Sequence, residues 1–133
     1  MKAQNLRGGC QCGHVRYVMD GEIHATNVCH CRDCQVQSGS AFGMSLVIEP
    51  TAFLLESGAL KEFITTTDSG RQKICAFCPE CGVRIYNATS ALMSIKAGTL
   101  DDTAWLRPDA HYWVRRRQPW VALPKDVPVF EET

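Results

Sequence analysis

Cys29-His30-Cys31-Arg32-Asp33-Cys34 is the stretch around which the chain is organised. Its three thiols, with one and two residues between them, can share a single ion. Cys10-Gln11-Cys12 and Cys78-Pro79-Glu80-Cys81 repeat these short gaps, with Gly13 and Gly82 just after the last cysteine of each. Eight cysteines in 133 residues suggest either a disulfide framework or metal binding. The gaps favour metal. So does the start MKAQNLRGG, which lacks the apolar core of a secretory signal. A reducing, cytoplasmic location is therefore expected.

The two outer groups supply four sulfurs, enough to close one tetrahedral zinc. Cys10, Cys12, Cys78 and Cys81 are thus expected to form a structural site that ties distant parts of a small domain together. Cys29, Cys31 and Cys34 offer three sulfurs for a second zinc, two ions per chain in all. Catalytic zinc keeps its fourth position open, whereas structural zinc closes it. His30 is a poor closer because it lies between two ligands. Cys75, His14, His24 or His111 could close the site through space, so both readings stand at this point. Cys75 itself reads as a buried small hydrophobe, a fourth ligand or a reactive thiol.

Charge then suggests chemistry. Three thiolates on a divalent zinc leave a net charge of −1, which makes the ion a weak activator of water. A fourth thiolate, brought by a substrate, can still stay ionised there and attack an electrophilic carbon. The expected chemistry is therefore activation of a small thiol.

Around the cysteines, alternation predicts short strands. Val15, Tyr17 and Met19 share one side of the first, and Asp20-Gly21 reads as a turn. Arg32–Gln37 is long enough for about one helical turn. Phe42, Met44, Leu46 and Ile48 alternate with Gly43, Ser45 and Val47, and Pro50 ends the run. Further strands are expected at Phe53–Glu56, Leu60–Thr66, Lys73–Phe77, Val83–Asn87, Leu92–Ala97 and His111–Arg117. Asp68-Ser69-Gly70 reads as a turn, and Pro119–Thr133 as extended surface chain. The expectation is one mainly β domain over residues 1–133, built of short antiparallel strands.

Bulk properties exclude other classes. Lys plus Arg and Asp plus Glu number 14 each, so no net field draws in nucleic acid or anionic lipid. No apolar run is long enough to span a membrane.

Cys10-x-Cys12, Cys29-His30-Cys31-x-x-Cys34, Ser38-Gly39-Ser40-Ala41-Phe42, Phe77-Cys78-x-x-Cys81-Gly82 and Ala97-Gly98-Thr99-Leu100-Asp101-Asp102 stand in a familiar order. The closing His111-x-x-Val114, Pro119-Trp120 and Leu123-Pro124 extend the pattern. The chain resembles, from about residue 8 to 130, the glutathione-dependent formaldehyde-activating enzyme family, which also contains centromere protein V. The resemblance implies a β-tent zinc fold, with structural zinc on Cys10, Cys12, Cys78 and Cys81. It implies a catalytic zinc on Cys29, Cys31 and Cys34. It also implies a carbon–sulfur lyase-type activity that joins glutathione and formaldehyde into S-(hydroxymethyl)glutathione. The alternative is a non-catalytic zinc module that binds a macromolecular partner. Glutathione carries two carboxylates, so Arg32 and the Ser38, Gly39 and Ser40 loop are the expected substrate contacts. Arg115-Arg116-Arg117 reads as a solvated strand edge.

Overall fold

The computed structural model describes residues 1–66 and 70–133. Among them, nine strands join in one sheet system with a single short α-helix. The strands are β1 (Lys2–Gly9), β2 (Arg16–Cys29), β3 (Gly43–Ile48), β4 (Phe53–Ser57) and β5 (Lys61–Thr66). They continue with β6 (Gln72–Phe77), β7 (Arg84–Ala88), β8 (Met93–Lys96) and β9 (Ala110–Tyr112), while α1 spans Arg32–Ser38. The main path runs β1-β2-β3-β8-β7-β6-β5, with β4 and β9 also paired to β2. All pairs are antiparallel except β2 with β9. The mainly β class expected from alternation is the class observed.

The long strand β2 organises the rest. Its first half pairs with β1 and β4, and its second half with β3 and β9. Asp20-Gly21 lies between these halves. The expected turn is absent there, and the chain passes from one sheet half to the other without reversing. Gly21 has φ 144°, so it supplies a bend that other residues rarely make. The first strand, β1, was not foreseen, since Lys2–Gly9 is polar and only Ala3 and Gly8 are buried along it.

Alternation divides the sheet into two faces. Leu46 and Ile48 of β3, Ile85 of β7, and Met93 and Ile95 of β8 join Val15, Tyr17 and Met19 in the apolar core. The intervening residues, Gly43, Ser45 and Val47 of β3, Asn87 of β7 and Ser94 and Lys96 of β8, line a cavity on the opposite face. One polar anchor crosses the core: the fully buried Tyr17 hydroxyl bonds Thr99 Oγ1 at 2.7 Å, and Thr99 Oγ1 donates to the Lys96 carbonyl at 2.7 Å.

The last strand stops early. It ends at Tyr112, because Trp113 takes the left-handed conformation (φ 57°, ψ 38°) and a 3-10 turn follows at Val114–Arg116. Arg115-Arg116-Arg117 therefore lies on a turn, with Arg115 bonded to Glu132 at 2.5 Å and stacked over Trp113. The tail returns along this segment, where Val114 N–H donates to Phe130 O and Phe130 N–H to His111 O. Asp68 and Ser69 of the expected turn at Asp68-Ser69-Gly70 lie outside the described residues. No helix among the described residues is long and apolar enough to cross a membrane.

Gly8 is buried against the core and bridges to Leu100. A methyl group on Gly8 would collide with the Tyr17 hydroxyl and the Thr99 carbonyl. We expect Gly8→Ala to cost about 1–3 kcal/mol in denaturant unfolding, the range of an overpacked core. Unchanged stability would mean that the Tyr17–Thr99 anchor is not under this constraint.

Candidate metal centres and the cavity they face

Cys10, Cys12, Cys78 and Cys81 converge although two lie before β2 and two after β6. Their sulfurs all lie within 4.8 Å of one another. Cys10 to Cys12 is 3.6 Å and Cys12 to Cys78 is 3.8 Å. Four sulfurs about 2.3 Å from a tetrahedral zinc would stand about 3.8 Å apart, so the donor set fits that ion.

The two halves of this centre are built alike. Cys10 N–H donates to Val15 O at 3.1 Å, and Cys78 N–H to Val83 O at 3.0 Å. Inside each loop a glycine with positive φ, Gly13 at 85° and Gly82 at 80°, turns the chain back and donates to the first cysteine's carbonyl. Backbone N–H groups point at sulfur: Val15 at Cys10 (3.2 Å), and Glu80 and Cys81 at Cys78 (3.4 and 3.5 Å). Donors of this kind favour thiolate over thiol. The Val83 and Cys12 N–H groups act likewise on Cys81 and hold it down to about 6.

Cys29, Cys31 and Cys34 form the second group, also within 4.8 Å. Cys29 ends β2 and Cys34 lies in the first turn of α1. Cys31 caps that helix, its sulfur accepting from Cys34 N–H at 3.4 Å. Without a cation the three compete for charge. Cys29 and Cys34 donate to Cys31 and pull its pKa far down, while their own are pushed up. All three can be thiolates together only if a cation holds them.

Among the described residues, no other Cys, His, Asp or Glu joins this group. Each residue considered as a closer is placed elsewhere. His14 Nε2 accepts from Ala59 N–H at 3.2 Å, and His24 faces Glu49 at 3.7 Å. His111 Nδ1 meets the buried His30 Nε2 at 3.0 Å. Cys75 is buried in β6, opposite Phe63 and Asn87.

The loop holding the three thiols is pinned by His30 and by two glutamines that the sequence did not single out. His30 N–H donates to Tyr112 O at 2.9 Å. The buried Gln35 amide donates to His30 O at 2.9 Å and to Arg116 O at 3.0 Å. Gln37 Nε2 approaches Cys34 Sγ at 3.8 Å, and its oxygen accepts from Arg84 and Asn87 at 3.0 Å each. Glutamines on an isolated helical turn read as solvent-facing, and only the tertiary partners reveal their work.

Cys29 and Cys34 open onto a cavity of about 560 Å³, a volume ordinary for small-molecule sites. Its other walls include three cations, Arg71, Lys73 and Lys96, and two aromatic residues, Tyr112 and Trp113. Trp113 Nε1–H donates to Thr133 Oγ1 at 2.9 Å, which brings the end of the tail to the rim. Lys96 is half-buried. Burial pushes its ammonium below the ordinary value, and the Cys34 sulfur opposes that shift. Asn27 Oδ1, buried in a lining residue, has no hydrogen-bond partner.

The residues expected to hold substrate carboxylates are not in this cavity. Arg32, Gly39 and Ser40 line a separate hollow with Gln35, Val36 and Trp120. Arg32 donates to Gln35 Oε1 at 3.0 Å. Ser38 is spent on capping α1, donating to Gln35 O and accepting from Ser40 N–H, both at 3.2 Å. Ser38 also lines a further hollow with Gln37, Phe42, Gly43 and Lys96, so the expected contacts are divided between two places.

Comparison with known proteins agrees with this geometry. The family described as glutathione-dependent formaldehyde-activating enzyme matches residues 5–116, which span every cysteine. The chain belongs to this family. Among solved structures, a Rhodobacter sphaeroides protein from a structural genomics effort is similar in fold, with a TM-score of 0.60 at 16% identity. The match covers 93% of this chain and 99% of that one. No curated protein matches.

The two centres should respond differently to mutation. Cys81→Ser breaks a tie between distant segments, so the protein should fail to accumulate or melt far below wild type. Cys31→Ser should lose one zinc equivalent and keep the fold. Cys75→Ala should keep both equivalents and cost at most about 1.5 kcal/mol. Metal analysis and thermal melts check all three; loss of zinc in Cys75→Ala would contradict the assignment.

Proposed function

We propose that the protein joins a small thiol to a small carbonyl compound, acting as a carbon–sulfur lyase-type enzyme run towards the adduct. Glutathione and formaldehyde, giving S-(hydroxymethyl)glutathione, are the pair proposed. The observation that carries this reading is the group of three thiols with no fourth protein donor among the described residues, open to a cavity lined by cations. Cys29, Cys31 and Cys34 would hold one zinc, and Cys10, Cys12, Cys78 and Cys81 a second, structural one. The zinc at the open group, when bound, keeps a substrate sulfur ionised at neutral pH.

The chain's own residues supply recognition. Lys73, with Arg71, offers positive charge to the carboxylates of a glutathione-like thiol. The unpartnered Asn27 oxygen suits a peptide N–H of such a substrate. Tyr112 and Trp113 wall the opening and limit the size of the electrophile's surroundings. A reduced thiol pool is needed for such a substrate, in keeping with a cytoplasmic setting.

The test is exchange between free formaldehyde and S-(hydroxymethyl)glutathione, followed by NMR above the uncatalysed rate. Zinc-loaded protein should accelerate it and Cys31→Ser should not. An exchange rate unaffected by the zinc-loaded wild type would overturn the reading and favour a non-catalytic zinc module. For the carboxylate contact, Lys73→Ala should weaken glutathione binding about three- to ten-fold, as for a single partly exposed ion pair. It should leave binding of 2-mercaptoethanol unchanged, as measured by titration of the cobalt-substituted protein.

A further inference from the structure

Lys96 pairs with Ser45 across β3–β8, and both Lys96 and Gly43 line the cavity side of the sheet. Sheet parity requires this placement, because Leu46, Ile48, Met93 and Ile95 occupy the core side. Gly43 is buried, and a methyl group on it would press on Cys34 Cβ at 3.3 Å and lie 3.6 Å from Cys34 Sγ and 3.8 Å from Lys96 Nζ. The missing side chain thus leaves a small space that touches both the sulfur group and the ammonium. Lys96 has no carboxylate partner among the described residues, and its one hydrogen bond, to Ser45 Oγ, is long at 3.5 Å. Its backbone, by contrast, is fixed through Thr99 and Tyr17. A cation held this way beside a glycine-sized gap has donors left for a ligand.

We infer that Lys96 is a catalytic residue, whose ammonium stabilises the carbonyl oxygen of the electrophile while Gly43 leaves the room for that carbonyl. The inference rests on the thiol–carbonyl reading above. In the step, a lone pair of the ionised thiol sulfur forms the C–S bond. The carbonyl π pair moves onto oxygen, and the proton that the thiol gave up on ionising ends on that oxygen as the hydroxyl of the adduct. Negative charge grows on oxygen during bond formation. A pre-placed ammonium in a half-dry site favours that stage more than the neutral carbonyl that precedes it. Gly43 sets size: formaldehyde and other very small carbonyl compounds fit beside Cys34, and a bulkier aldehyde would need the space that β3 fills.

Lys96 could instead hold a substrate carboxylate, as proposed for Lys73, and thiols lacking carboxylates separate the two roles. The experiment measures exchange kinetics with glutathione and with 2-mercaptoethanol for wild type, Lys96→Met, Lys96→Arg and Gly43→Ala. Thiol affinity is read independently from the cobalt-substituted proteins. Lys96→Met should lower kcat about 100-fold with both thiols, the effect of losing one oxyanion donor. Thiol affinity and zinc content should stay within about two-fold of wild type. Lys96→Arg should recover part of the loss, and Gly43→Ala should lower kcat without changing thiol affinity. Should Lys96→Met fail to fold, the Lys96→Arg and Gly43→Ala results decide alone. A Lys96→Met protein as active as wild type overturns the inference. So does one weakened only towards glutathione, which would make Lys96 a carboxylate anchor. Wild type without any catalysed exchange overturns the underlying reaction reading, and this inference with it.

Discussion

Seven cysteine sulfurs drawn into two groups, each within 4.8 Å, are the constraint on which the structure depends. Thiolates that close repel unless a cation lies between them, and thiols that close gain little from one another. The four-sulfur centre joins the segment before β2 to the segment after β6, closing most of the chain into a loop. Such a closure restricts the unfolded state, which matters in a domain whose core is small. Strand β2 then carries the chain from this centre to Cys29, where the three-sulfur group begins. One strand thus connects the four-sulfur group to the three-sulfur group.

The remaining architecture follows from having one sheet with two unlike faces. Leu46, Ile48, Ile85, Met93 and Ile95 seal one face with apolar packing. The residues between them are small or polar and form the wall of a cavity, instead of a solvated surface. Cys29 and Cys34 reach the same cavity from the end of β2 and from α1. The hydrogen bonds from His30 and Gln35 to the β9 segment fix the cysteine loop over that opening. The cavity wall is therefore placed by sheet parity, with the end of β2 and α1 adding the thiols.

Much of this was legible in the sequence. Short gaps between cysteines brought out both sulfur groups, and the alternation in Phe42–Ile48 put Leu46 and Ile48 on one side and Gly43, Ser45 and Val47 on the other. The mainly β class followed from the same alternation. Signals failed where local chemistry competed with tertiary context. Asp20-Gly21 has turn composition, yet pairing on both sides of it keeps β2 extended, and the glycine serves as a bend. His111–Arg117 alternates like a strand, but the left-handed Trp113 breaks it. Arg32 stands between Cys31 and Cys34 in sequence yet lines another hollow, while the distant Lys73 and Lys96 line the cavity that Cys29 and Cys34 face. Nothing local marks Gln35 or Gln37, whose distant partners come from the turn after Tyr112 and from β7.

The central claim is that one of two zinc ions has only three protein sulfurs and takes a substrate sulfur as its fourth. X-ray absorption at the zinc edge counts the sulfurs directly. Protein carrying two zinc ions should show a mean of about 3.5 sulfurs per zinc, rising to about 4 when glutathione is added. A mean already at 4 without glutathione, or one that stays near 3.5 with it, would contradict the account.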